Sequence, residues 1–241
     1  MATFVLVHGA WHGSWCWKRV RPALQALGHD VFTPTLTGVG ERSHLLSPGV
    51  NLETHIDDVV NVIRWEDLSH VVLCGHSYAG AVISGVADRV AERLGALVYL
   101  DAFVLEDGQS VYDTLPAAQR ELQLDLVQRV GDGWKVPPIP AEVFNVNPAD
   151  RAWVDSQCTM QSVATFQQPI KLSAGLHEPI STTFILATGF RDSPFPPFYD
   201  RARVKGWATA TIDCGHDVML DRPEELTGIL AGIAAAEPAA M

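Results

Sequence analysis

Short apolar runs rich in β-branched residues alternate along this chain with segments of helical spacing. The runs cover residues 3–7, 30–34, 70–74, 96–104, 182–188 and 208–213, and the helical segments cover 17–27, 54–68, 77–94 and 223–236. Strands that are apolar throughout, each followed by a helix, belong in a parallel sheet covered on both faces. The expected fold class is α/β, with a mostly parallel central sheet and helices on both sides. Right-handed crossovers then bring the strand C-termini to one edge, where ligands bind. Residues 106–180 break the alternation. They hold Pro116, Pro137, Pro138, Pro140, Pro148 and Pro169, one helical stretch at 117–130 and no clear strand. We read them as a cap inserted between two parts of one core, residues 1–105 and 181–241. A chain of 241 residues is long enough for one sizeable core without staples.

Charge narrows the function classes. Lys and Arg number 17 against 28 Asp and Glu, a formal net charge of −11, and no basic cluster offers a phosphate backbone a surface. No nucleic-acid partner is expected. No apolar stretch approaches the ~20 residues of a membrane span. The start, Met1-Ala2-Thr3 followed by Phe4-Val5-Leu6-Val7, lacks the basic region and cleavage site of a signal peptide. Cys16, Cys74, Cys158 and Cys214 are scattered, too few for a disulfide framework and wrongly spaced for zinc. No His-Glu-x-x-His or comparable spacing suggests a metal. A reducing, cytoplasmic setting without metal or cofactor is the expectation.

The chemistry is concentrated in Val71-Val72-Leu73-Cys74-Gly75-His76-Ser77-Tyr78-Ala79-Gly80. A buried strand meets a helix here with Ser77 at the joint and small residues, Gly75 and Ala79, two positions to either side. A serine held on so tight a turn needs strained backbone angles, which bulky neighbours would obstruct. The hydroxyl then stands at the sheet's C-terminal edge, over a helix N-terminus that favours developing negative charge. Serine also needs a base. Of nine histidines, His216 in Asp213-Cys214-Gly215-His216-Asp217 follows the last strand, where the order Ser, Asp, His puts the base. His76 and His8 read as structural. His12, His44 and His177 are within reach of a pocket, while His29, His55 and His70 read as surface residues.

A carboxylate must orient the imidazole. Asp192, on the loop after the fifth strand, is the first choice and Asp101, at the end of the fourth, the alternative. The backbone N–H groups of Tyr78 and of Ala10, in His8-Gly9-Ala10-Trp11-His12-Gly13, are the candidate oxyanion donors. Gly9 and Gly13 let that loop approach a substrate closely. Trp11, His12, Phe103 and Trp134 are the candidate substrate-binding residues. Tyr78, Phe144, Trp153 and Phe166 are further aromatic candidates, and the set suggests an apolar or aromatic substrate.

Three segments taken together, Phe4 to Trp17, Gly75 to Gly80 and Gly215-His216-Asp217, resemble the α/β-hydrolase superfamily. The nearest likeness is to the branch of plant methylesterases, hydroxynitrile lyases and small bacterial esterases. The resemblance runs through the core and is weak in the cap. It implies a triad of Ser77, His216 and Asp192, with Ala10 and Tyr78 as oxyanion donors. Asp192 is preferred because residues 192–197 look like that branch's acid loop, although Tyr99-Leu100-Asp101-Ala102 is similar to the alternative acid site. Hydroxynitrile lyases of the branch carry a threonine in the first loop and a lysine after the histidine. This chain has Ala10 and Asp217, which disfavours a lyase. The expectation is a serine carboxylesterase acting on small to medium esters with an apolar or aromatic portion. The alternatives are a C–C lyase or a ligand-binding protein on the same scaffold. The expected partner is a small-molecule ester, with a homodimer left open.

Overall fold

Six runs become six parallel strands. The computed structural model describes residues 1–173 and 180–236. Its main sheet contains β1 (Thr3–Val7), β2 (Asp30–Phe32), β3 (Val71–His76), β4 (Leu94–Leu100), β7 (Ser181–Ala187) and β8 (Ala208–Ile212), in the order β2-β1-β3-β4-β7-β8. Every neighbouring pair is parallel. All six residues of β3 are buried, as a central strand covered on both faces requires. β4 ends at Leu100, short of the expected residue 104, because Asp101 turns the backbone to φ 44°.

Helices α1 (Val20–Ala26), α2 (Leu52–Trp65), α3 (Ala79–Val90) and α10 (Pro223–Ala236) follow the helical spacing of the sequence. Asn51 starts α2 through a reciprocal box: its side chain accepts from the Thr54 N–H at 3.0 Å, and Thr54 Oγ1 accepts from the Asn51 N–H. Ten of the twelve residues of α3 are buried, since α3 lies between the sheet and α2. Outside residues 106–180, two α-helices were not read from the sequence: α8 (Pro196–Val204), which opens on Pro196 and Pro197, and the short α9 (Val218–Asp221).

Between β4 and β7 lie α4 (Val111–Thr114), α5 (Ala117–Val130), α6 (Arg151–Gln157) and α7 (Ala164–Gln167). The expectation of no strand in this stretch is corrected. β5 (Lys135–Val136) and β6 (Gln161–Ser162) pair antiparallel, each too short to leave a periodic signal. His177 and the Ala-rich tail beyond residue 236 lie outside the described residues. No helix among the described residues is long and apolar enough to cross a membrane.

Candidate active site

The joint between β3 and α3 is strained as the sequence requires. Ser77 has φ 57°, a left-handed conformation that non-glycine residues seldom adopt. Three backbone bonds hold it there. Its N–H donates to Leu100 O at 3.2 Å, and its carbonyl accepts from Gly80 N at 3.0 Å and Phe103 N at 3.1 Å. A side chain at Gly75 would put Cβ 2.7 Å from Ala79 O, so the turn closes only over a residue without one. Gly9 is equally constrained, because a Cβ there would stand 3.0 Å from Ser77 Cβ.

His216 reaches the same edge from the loop after β8. Its N–H donates to Phe144 O at 2.9 Å, and its Nδ1 lies 2.6 Å from Asp101 Oδ2. Asp101 Oδ1 accepts from Ala187 N at 3.1 Å, so both carboxylate oxygens act as acceptors. The pair is sealed, with Asp101 at 0% and His216 at 2% exposure. Burial opposes charge on either partner, pushing the Asp101 carboxyl up and the imidazole down to about 4. A neutral imidazole with Nδ1–H on Asp101 leaves Nε2 free to accept a proton.

The choice of Asp192 as the orienting acid is corrected by this geometry. Asp192 is exposed and makes no bond to His216. Its loop does reach the imidazole, but with aromatic rings. Phe190 and Phe195 pack on His216 with centroids 4.9 and 5.1 Å away, which leaves Asp192 at the rim. Asp101 is delivered by the sheet itself, directly after β4, the strand next to β3.

Ser77 and His216 line one cavity of about 790 Å³, together with Ala10, Tyr78, Trp11 and Phe103. Ser77 Oγ has no hydrogen-bond partner among the described residues; catalytic hydrogen bonds often tighten only with substrate. The backbone N–H groups of Ala10 and Tyr78 likewise have no acceptor among them, as oxyanion donors require. Most of the wall is apolar, with Leu115, Leu126, Val136, Pro137 and Ile139 contributed by the segment between β4 and β7.

A family model described as "Alpha/beta hydrolase family" matches residues 4–228. The chain belongs to that family. It is 46% identical to a carbendazim-hydrolyzing esterase from a Nocardioides species, over 97% of this chain and all of that protein. It is 25% identical to methylesterase 3 of Arabidopsis thaliana, covering 95% of each chain. Among solved structures, an extracellular α/β-hydrolase from a Paenibacillus species superposes with a TM-score of 0.84 at 23% identity, covering 97% of this chain and 99% of the other. A pyrethroid hydrolase from Sphingobium faniae superposes with a TM-score of 0.74 at 25% identity over 98% of each chain.

Within this α/β hydrolase the remaining sequence candidates separate clearly. Trp11 and Phe103 line the cavity; His12 and Trp134 do not. His12 is buried behind the first loop against Asp217, and Trp134 is half-buried beside Lys135. His55, expected at the surface, is fully buried and bonds both Tyr78 OH at 3.0 Å and Thr37 O at 2.8 Å. His44 is exposed. His8 and His76 are buried scaffold residues, His76 Nε2 holding His216 O at 2.9 Å. Sequence reasoning missed Gln161, whose Oε1 accepts from the Trp11 N–H at 2.9 Å and ties the first loop to β6. It also missed Phe190 and Phe195, though both stand beside the quoted Asp192.

Proposed function

We propose that this α/β hydrolase works through an acyl-enzyme on Ser77, with His216 as base and Asp101 as the acid that orients it. The chain is a carboxylic ester hydrolase; the residues and the ester are our own reading. Ser77 Oγ attacks the ester carbonyl while His216 Nε2 takes its proton, and the Ala10 and Tyr78 N–H groups receive the developing oxyanion. His216 then returns the proton to the leaving alcohol. A water activated by the same imidazole releases the acid.

The observation that carries this reading is the sealed bond from His216 Nδ1 to Asp101, behind a cavity that also holds the strained Ser77. The substrate class follows from the wall. An ester with an apolar or aromatic portion fits about 790 Å³ of mostly apolar space. Relatives named for methyl esters, a pyrethroid and carbendazim support the same class. In this reading residues 106–180 are a cap that shapes the acyl pocket over the sheet edge. The four cysteines form no disulfide, which supports a reducing, cytoplasmic setting.

Ser77→Ala should abolish turnover of a p-nitrophenyl ester and labelling by a fluorophosphonate, with an unchanged circular dichroism spectrum. Retained turnover would refute the acyl-enzyme. An ester library graded by acyl and alcohol size should show kcat/KM rising with apolar bulk.

A further inference from the structure

Five histidines are buried among the described residues, and what each ring nitrogen faces fixes its protonation. His8 donates from Nδ1 to Gly9 O and accepts from the Leu36 N–H at Nε2, so it is neutral. His55 faces the Thr37 carbonyl with one nitrogen and the Tyr78 hydroxyl, which can donate, with the other. His76 and His216 each face one acceptor. His12 differs. Its Nδ1 lies 2.7 Å from Ala10 O, and its Nε2 lies 3.2 Å from Asp217 Oδ2. A carbonyl and a carboxylate both only accept, so both nitrogens of His12 must carry hydrogen.

We propose that His12 and Asp217 form a buried imidazolium–carboxylate clasp that positions the oxyanion loop against the histidine loop. They are positioning residues that touch no substrate. Ala10, one end of the clasp, belongs to the first loop, and Asp217, the other end, directly follows His216. The clasp ties together the two loops that must keep a fixed spacing around the ester carbonyl. His12 is 2% exposed and Asp217 0%, and Trp15 stacks on the imidazole at 4.8 Å, so water cannot substitute for either partner. The other titratable groups around the pair are His8, His76, His216, Cys16 and Cys158, with Asp101 beyond His216 and Glu41 beside Gly13. Of these the imidazoles are neutral and the thiols protonated, because burial disfavours their charge. The one anion sealed in beside His12 is therefore Asp217. Burial, the largest single influence, opposes charge on both, but the partner's charge and the hydrogen bonds at the pair together outweigh it, holding the Asp217 carboxyl below the usual range and the His12 imidazole above its own.

The catalytic part of this inference rests on the roles assigned above to Ser77, His216 and Ala10; the protonation of His12 does not. Nuclear magnetic resonance of the ¹⁵N-histidine-labelled protein between pH 6 and 8 should show His12 protonated on both nitrogens. A neutral His12 at pH 7, with the proton on Asp217, would overturn the clasp. Asp217→Leu should lower kcat per fluorophosphonate-titrated site by about tenfold to a hundredfold, with KM changed less than about threefold. Asp217→Asn, whose amide can donate to a neutral His12, should recover most of that loss. A purely structural role would reduce the titratable fraction and leave kcat per site unchanged, which would overturn the proposal. Should the Leu variant not fold, the Asn variant decides alone: its His12 must be neutral at pH 7, and a doubly protonated ring would overturn the charge assignment. If Ser77→Ala kept its turnover, the catalytic roles would fall while the His12 signals stood.

Discussion

A carboxylate can orient an imidazole only where the chain delivers it, and at the residue scale delivery separates two aspartates that look alike in the sequence. Asp101 follows directly from a central strand, with both oxygens committed, to His216 and to Ala187. Asp192 comes from a loop that meets His216 through Phe190 and Phe195. Asp101→Asn should therefore lower kcat by about 10⁴, as loss of the orienting acid does elsewhere. Asp192→Asn, at the rim, should stay within about threefold; the comparison is made by steady-state kinetics on enzyme titrated with a fluorophosphonate. The reverse order would restore the sequence's first choice. Because burial lowers His216 to about 4, the acid limb of kcat/KM should fall near pH 4 and not near the 6.5 of a free imidazole. Ser77 and His216 were legible because the constraint on each is local. One needs small neighbours on a strand-to-helix turn; the other needs a place after the last strand. The carboxylate that meets His216 was not legible, because which of the two arrives depends on how three loops pack.

At the scale of elements, the β3–α3 joint shows what the turn demands. Gly75→Ala would place a methyl 2.7 Å from Ala79 O and 2.9 Å from Ile83 Cγ2, so either the strand end or the helix start must shift. The expected cost is about 1–3 kcal/mol of stability. Thermal melting should show it as a lowered Tm, together with a fall in kcat as Ser77 moves. An unchanged Tm with full activity would mean the turn is looser than its contacts indicate. The six strands were readable because buried parallel strands are continuous apolar runs, and α2 and α3 because their apolar positions recur at helical spacing. β5 and β6, two residues each, carry no such periodicity. Their pairing exists because Val163 N reaches Trp134 O and Gln161 anchors the first loop, contacts between segments remote in sequence.

The whole molecule carries a set of buried histidines whose charge is linked to folding. His8 is lowered to about 3, His55 and His216 to about 4, and His76 well below its usual range, in each case chiefly by burial. Unfolded, all four take up protons near 6.5, so the unfolded state binds more protons as the pH falls. Their stabilisation is complete above about pH 6.5 and is lost between there and about 4. The raised groups act in the opposite sense. Burial pushes the Asp101 carboxyl up, and the contribution of His12 is lost only as the pH rises through its folded value. Calorimetric Tm should therefore fall from about pH 6.5 to pH 4 with net uptake of protons on unfolding, and a flat profile would contradict it. By itself the amino-acid order determined the sheet, the serine turn and the place of His216 on the loop after the last strand, since each follows from hydrophobic period or from backbone sterics between near neighbours. Which aspartate holds that histidine, that His55 is sealed inside, and that His12 faces two acceptors were decided only in three dimensions. Partners such as 101 with 216 and 12 with 217 are chosen by strand order and loop packing, and no local pattern encodes either.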